Sequence, residues 1–171
     1  RVYLKNSFGD VKQEIFEQRD FAVSTSDQVF AEKGFDLKRK FEKEGDKILI
    51  IGKTYDEVEG SEYHRAVHNL EQGDAPKIRI DDEFANGQTV LKLIDEDVNK
   101  DITAVHDVSA GGLAIALSEM VISSDLGCEV ELTSDELDEN QLLYSESHGR
   151  YLITVKADAL DNILSPHSGH W

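Results

Sequence analysis

The sequence predicts an α/β domain built on a mixed sheet. From Ile48 onward, short apolar runs rich in β-formers alternate with amphipathic helical stretches, the order of elements typical of this class. With 39% hydrophobic residues among 171, the chain can bury a core, and this length suits one large domain or one domain and part of another. Because the chain starts on Arg1 without an initiator methionine, we expect a segment of a longer protein.

Charge and composition exclude several classes of function. The 35 acidic and 18 basic residues give a net charge of -17, which argues against nucleic acid as a partner because the phosphate backbone would be repelled. No apolar run approaches the roughly 20 residues of a membrane span, so we expect no membrane contact. The single cysteine, Cys128, excludes an internal disulfide and fits a reducing cytosol, so we expect a cytoplasmic location.

The chain up to residue 100 gives four readable elements. Phe30 to Lys43 is at best a short surface helix. Lys47 to Gly52 is a short apolar run that predicts a buried strand. Ser61 is a suitable N-cap for a helix from Glu62 to Leu70. A second helix is predicted over residues 81–100, and its glycine at 87 suggests a start nearer residue 88.

The second half centres on one strand–turn–helix unit. Ile102 to His106 reads as a strand and Gly112 to Ile122 as a helix, with one apolar face formed by Leu113, Ala116, Leu117 and Met120. Gly127 to Leu132 alternates at period two and predicts a half-buried strand with Cys128 in the core. Tyr151 to Val155 predicts a further strand, and residues 158–164 predict a closing helix.

The turn between that strand and helix is a candidate phosphate site. Its two glycines permit close approach of the backbone, and the following helix supplies partial positive charge. The candidate ligand residues are His106, Asp107, Ser109, Gly111 and Gly112. On spacing alone a helix cap, with Asp107 or Ser109 satisfying free backbone N–H groups, is the simpler interpretation.

A second polar turn, Ser145 to Arg150, precedes the last strand. Glu146 could hold a ribose hydroxyl or a metal ion, and Arg150 a phosphate. A surface turn with an ion pair contributing at most about 1 kcal/mol is equally supported. His64 and His68 lie four residues apart on one helix, but nothing places a third metal ligand near them, so an ordinary surface helix is favoured.

Four segments together resemble a known family. Residues 104–120, AVHDVSAGGLAIALSEM, are similar to the HD-x-S-x-GGLA-x-AL-x-EM signature of the synthetase subunit of phosphoribosylformylglycinamidine synthase. Three segments agree in order with its F-x-x-EGD, GSEY and SES-x-x-R motifs: Phe41 to Gly52, Gly60 to Tyr63, and Ser145 to Arg150. The resemblance covers about residues 41–155. It implies a PurM C-terminal-domain-like fold for residues 41–171, truncated at its end, with residues 1–40 as the tail of a preceding PurM N-terminal-like domain.

The resemblance also implies an activity. The family uses ATP and Mg²⁺ to activate the amide oxygen of formylglycinamide ribonucleotide, and ammonia from a glutaminase partner then displaces phosphate to give the amidine. Its subunit carries two pairs of α/β halves, one for turnover and one a degenerate copy with a structural nucleotide; this chain resembles the C-terminal half of the second pair. Its two polar turns would then be counterparts of the substrate-facing loops, and the isolated segment should not catalyse the ligation.

Two alternatives remain open at this point. The superfamily also includes aminoimidazole ribonucleotide synthetase, selenophosphate synthetase and the hydrogenase-maturation dehydratase, although the ordered GSEY and EGD segments argue against these. The other alternative is a structural domain that has no catalytic role and only packs against its partners.

Overall fold

The computed structural model describes residues 38–95 and 100–165. In chain order their elements are β1 Lys47–Ile51, α1 Glu62–His68, α2 Ile80–Asp95, β2 Ile102–Val108, α3 Gly112–Ile122, α4 Glu139–Tyr144, β3 Arg150–Val155, a 3₁₀ turn Ala157–Ala159 and α5 Leu160–Leu164. The predicted α/β class and the strand–turn–helix unit at its centre are confirmed. The expectations for residues 1–37 lie outside the described residues.

The sheet has the order β1-β3-β2, with β3 paired antiparallel to both neighbours. The sheet is therefore antiparallel throughout and not mixed as predicted; the bridge between Lys38 and Ala104 is an isolated parallel contact outside the strands. Successive residues of β3 point to opposite faces, so Leu152 and Ile153 belong to two different core clusters. The sheet is therefore covered on both sides.

Each face of the sheet packs against a different helix. On one face α3 contributes the four apolar residues that its spacing predicts, and they join Phe41, Ala104, Val108 and Leu152. On the other face α2 and α5 pack against the sheet through Val90, Leu93, Ile94 and Ile163. The two polar turns lie at the end of the sheet where β2 stops and β3 begins.

Several predicted elements differ from those observed. Of the residues of β1 only Ile51 is buried, because β1 is an edge strand and not a central one. Helix α2 begins at Ile80 and not near residue 88, since the three acidic residues of its first turn favour the positive end of the helix dipole. Residues 38–43 form no helix; instead Phe41 is buried in the core.

The strand predicted over Gly127 to Leu132 is wrong. These residues form no strand and are exposed, and Cys128 is exposed and not in the core. They line, together with β1, an open cavity of about 880 Å³, so no neighbouring backbone pairs with them. Alternation predicts a strand only where a partner supplies the ladder of hydrogen bonds.

Replacing Ile153 with valine should lower the free energy of unfolding by about 1 kcal/mol, because it removes one carbon from a fully buried side chain. Urea denaturation of the chain measures the change. Ile122→Val is the matched control, since Ile122 is 82% exposed and should tolerate the same change. Equal effects at the two positions would contradict the assignment of Ile153 to the core.

Among the described residues, no helix combines the length and apolarity needed to cross a membrane.

Candidate functional site

The turn after β2 has the backbone geometry that only glycine adopts readily. Gly111 and Gly112 have φ angles of 78° and 66° in the left-handed region. The N–H of Gly112 donates to the carbonyl of Ser109 at 3.0 Å, which closes the turn. The Gly111 N–H donates to the side chain of Glu146 and the Gly112 N–H to a backbone carbonyl, so neither is capped by the side chain of Asp107 or Ser109. The cap by Asp107 or Ser109, favoured on spacing alone, is therefore wrong.

The N–H groups at this point are satisfied from another part of the chain. Glu146 Oε1 accepts hydrogen bonds from the backbone N–H of Gly111 at 2.7 Å and of Glu62 at 2.8 Å. Glu62 is the first residue of α1 and Gly111 the N-cap of α3, so a single carboxylate oxygen joins the start of both helices. A negative charge is favourable there because both helix ends present partial positive charge. The structure thus brings three of the four motif segments together at Glu146.

The loop that carries Glu146 is fixed by contacts that no sequence motif predicts. The Glu57 N–H donates to Ser145 Oγ at 3.2 Å, and the Tyr55 N–H donates to Ser147 Oγ at 3.1 Å. Between them, the Glu146 N–H donates to the Glu57 carbonyl at 3.1 Å. Both serines are buried. Because the paired residues lie 88 and 92 positions apart, no local pattern reveals this contact.

Arg150 is buried beneath the same loop, with 1% of its surface exposed. Its guanidinium donates to the Ser147 carbonyl at 2.9 Å, to Thr54 Oγ1 at 2.9 Å and to the Ser145 carbonyl at 2.5 Å. Burial lowers the pKa of Arg150 to about 10, and the charges of Glu57 and Glu146 partly oppose this shift. The group therefore stays charged at neutral pH and is tied to the loop through three acceptors.

His106 and Asp107 are neighbours in β2 and so lie on opposite faces of the sheet. His106 Nδ1 donates to the Asp107 carbonyl at 2.6 Å, and its Nε2 lies 3.4 Å from Glu119 Oε2 on α3. Asp107 pairs in register with Tyr151. Burial raises the pKa of Tyr151, and the charges of Asp107 and Glu83 raise it further. The structure thus does not aim these two predicted ligand side chains at one point.

The other histidines among the described residues, His64, His68 and His148, lie near neighbouring side chains. The rings of His64 and His68 lie 5.6 Å apart, and Tyr63 contacts both and stacks on Tyr144 at 4.2 Å. His148 Nδ1 lies 3.8 Å from a carboxylate oxygen of Glu83. Within residues 38–95 and 100–165, no three His, Cys, Asp or Glu side chains cluster as metal ligands would. These residues therefore do not assemble a metal centre by themselves.

Glu57 should make stability depend on pH in the acid range. Burial raises the pKa of its carboxyl group, but hydrogen bonds from Arg79 Nη2 at 2.8 Å and the Lys77 N–H at 2.9 Å outweigh burial. The pKa therefore lies below its ordinary value of 4.5. A carboxylate with a lowered pKa stabilises the fold above its unfolded-state pKa, and this contribution is lost as pH falls below 4.5 through the folded-state value.

We expect Glu57→Gln to lose stability at neutral pH and to show a shallower decline below pH 4.5 than the wild type. Urea midpoints measured from about pH 3 to pH 7 test this. Glu59→Gln, which changes an exposed carboxylate two residues away, is the control. Parallel pH profiles for wild type and Glu57→Gln would contradict the role of the Glu57–Arg79 pair.

Solved structures share this fold. A Thermotoga maritima PurL structure complexed with FGAR matches 78% of this chain and 23% of its own, with a TM-score of 0.63 and 19% identity. A structure of the same protein complexed with ATP matches 80% of this chain and 22% of its own, with a TM-score of 0.55 and 20% identity. At these identities the likeness establishes the fold.

Sequence comparison identifies the family. Subunit PurL of phosphoribosylformylglycinamidine synthase from Methanobrevibacter smithii is 66% identical over 129 residues, which are 73% of this chain and 18% of that protein. The chain spans about a sixth of the length of such curated relatives. The model of the family "AIR synthase related protein, C-terminal domain" matches residues 43–166. With most of its length inside that match, the chain belongs to the AIR synthase related family and carries its C-terminal domain.

Proposed function

We propose that this domain is part of an ATP-dependent ligase of purine biosynthesis that converts formylglycinamide ribonucleotide to the amidine. The terminal phosphoryl group of ATP passes to the amide oxygen; ammonia attacks the amide carbon, and phosphate leaves with that oxygen. The 66% identity to a synthase subunit over most of this chain supports the proposal. We further propose a cytoplasmic location, a glutaminase partner that supplies the ammonia, and contact with the preceding domains of the same polypeptide.

The geometric observation that carries the proposal is the convergence on Glu146. Three segments meet at this carboxylate. Two are the turns predicted to bind ligand, which carry Gly111 and Glu146, and the third is the start of α1 at Glu62. We propose that a nucleotide or phosphorylated substrate is held around this carboxylate by Ser109, Gly111, Gly112 and Glu146, together with only one of the side chains of His106 and Asp107, since these two lie on opposite faces of the sheet. Arg150 belongs to the same site but supports the Glu146 loop from below and does not face the ligand, since its three hydrogen bonds go to protein groups.

Mg²⁺ fits this arrangement only in part. Against Mg²⁺, the described residues offer no cluster of three acidic or histidine ligands. In its favour, the hydrogen bonds that described residues donate to the Glu146 carboxylate go to Oε1, which leaves Oε2 open to a metal ion. Mg²⁺ is commonly held by one or two carboxylates together with substrate phosphates. We therefore propose that Glu146 supplies at most one ligand, with the others coming from ATP and from other domains.

One observation favours a second candidate, a structural domain. The Gly111 N–H, which the phosphate-site interpretation leaves for a ligand, is already bonded to Glu146. In that case the turns join helices α1 and α3 and do not bind ligand. This would agree with a degenerate copy of the catalytic half.

Assay of the full-length polypeptide separates these possibilities. Incubation with ATP, Mg²⁺, formylglycinamide ribonucleotide and ammonium should release ADP and phosphate in equal amounts with the amidine, detected by mass spectrometry. ATP turnover only with the amidine as substrate would instead indicate the ring-closing reaction of aminoimidazole ribonucleotide synthetase. If His106→Ala and Ser109→Ala leave both turnover and nucleotide content unchanged, the structural candidate is favoured.

A further inference from the structure

The buried groups beneath the Glu146 loop form a second layer of the site. Thr54 follows β1 and belongs to none of the motifs that mark the site. Its hydroxyl oxygen accepts from Arg150 Nη1 at 2.9 Å, across 96 positions of sequence. Arg150 in turn donates to the carbonyls on both sides of Glu146, those of Ser145 and Ser147. A continuous chain of hydrogen bonds therefore runs from Thr54 to the backbone that carries Glu146.

This chain of contacts decides where the Glu146 carboxylate lies. A glutamate side chain on an unsupported loop has several rotamers and costs entropy to order. Here both carbonyls flanking Glu146 are fixed by one planar guanidinium, whose fork of donors holds a fixed geometry. The remaining freedom of the guanidinium is restricted at Nη1 by Thr54. Loosening Thr54 should therefore affect Glu146 and the two N–H groups it binds.

We propose that Thr54 and Arg150 are positioning residues that hold Glu146 against the N–H groups of Glu62 and Gly111. The role assigned to the carboxylate in ligand binding rests on the proposed function, but its placement does not. Arg150 thereby acts through Glu146 and does not contact a phosphate. Thr54 is a determinant of the site although it touches no ligand residue directly.

The first test reads placement without any ligand. Hydrogen–deuterium exchange of the full-length polypeptide, resolved to single amides, reports the Glu62 and Gly111 N–H groups. Thr54→Val should speed exchange at both amides about fivefold to tenfold, the effect expected from weakening one hydrogen bond. Thr54→Ser keeps the hydroxyl, so exchange at both amides should be within about twofold of the wild-type rate. Arg150→Lys, which keeps the charge but not the fork, should speed exchange at the same amides.

The matched control is Thr103→Val. The Thr103 hydroxyl bonds to Asp46 Oδ2 at 2.7 Å and to the Thr154 hydroxyl at 2.8 Å, at the opposite end of β2 from the turn. Its loss should lower stability without changing exchange at Glu62 or Gly111. If Thr103→Val speeds these amides as much as Thr54→Val does, the effect is general loosening and the proposal is overturned.

The second test couples Thr54 to Glu146. In a Glu146→Ala background the acceptor is gone, so adding Thr54→Val should change exchange at the two amides by less than about twofold. If Thr54→Val speeds exchange in the Glu146→Ala background by the same factor as in the wild type, Thr54 acts elsewhere and the proposal is overturned. Isothermal titration with ADP adds a binding readout: Thr54→Val should weaken affinity about fivefold to tenfold, Thr54→Ser should restore it, and Thr103→Val should leave it unchanged.

The two readouts distinguish the failure of this inference from failure of the proposed function. If the wild-type polypeptide binds no ADP and forms no amidine, the proposed function fails, while the exchange measurements still decide the positioning. If amidine forms but Thr54→Val changes neither exchange nor affinity, the function stands and the positioning role is overturned.

Discussion

Replacing Gly112 with alanine is expected to lower the free energy of unfolding by about 3–5 kcal/mol. Gly112 has a φ of 66°, where a Cβ atom is strained. That Cβ would also lie 2.7 Å from the Ser145 carbonyl oxygen and 2.8 Å from the Leu143 carbonyl oxygen. Both contacts are to backbone, which cannot rotate away. The end of α4 and the Glu146 loop would have to move off the turn.

Two other glycines separate the two sources of this cost. Gly45 has a φ of 90°, but a Cβ atom there would meet no other atom within 4 Å, so Gly45→Ala should show only the conformational cost, about 1–2 kcal/mol. Gly127 has neither a crowded neighbour nor a positive φ, so Gly127→Ala should stay within about 0.5 kcal/mol of wild type. Urea denaturation measures all three variants. A cost at Gly112 no greater than at Gly45 would mean that the loop does not press against the turn.

Replacing Arg150 with methionine is expected to cost about 3–4 kcal/mol. The change leaves the Ser145 and Ser147 carbonyls without their buried donor and removes the positive charge near Glu57 and Glu146. Arg150→Lys should recover less than half of the loss, because one ammonium group cannot reach three acceptors in the geometry of the guanidinium.

Arg65→Met is the control for this prediction. Arg65 is exposed and pairs with Glu62 one turn earlier on the same helix. Its replacement should leave the urea midpoint essentially unchanged. A similarly small effect of Arg150→Met would contradict the structural importance of the buried guanidinium.

Local chemistry predicted the parts of the site that are local in sequence. The strand and helix around His106 follow from periodicity, and the helix Gly112–Ile122 has the predicted bounds. Ser61 caps α1 as predicted, accepting from the His64 N–H at 3.3 Å. Each of these depends on residues within a few positions of one another, so their spacing carries the information.

The long-range contacts of the site could not be predicted in this way. Glu146 lies 84 positions from Glu62 and 35 from Gly111, and only the folded chain brings their backbone N–H groups to one carboxylate oxygen. Sequence spacing offered Arg150 as a phosphate ligand because it does not reveal burial. The strand expected over Gly127 to Leu132 failed for a related reason, since its alternation says nothing about a pairing partner.

These contacts give Glu146 a defined part in the site. Its carboxylate is the anion held by the starts of α1 and α3. We propose that a ligand phosphate approaches the same turn while Glu146 keeps its hydrogen bonds to these two N–H groups. The ligand then lies beside residues 109–112 and Glu146, and its position is the central claim.

The most direct test is a crystal or cryo-electron microscopy structure of the full-length polypeptide with ADP. We predict phosphate density within about 3.5 Å of polar atoms in the turn of residues 109–112 or of the Glu146 side chain. ADP density only at sites remote from both turns, with Glu146 still bonded to the N–H groups of Glu62 and Gly111, would contradict the claim.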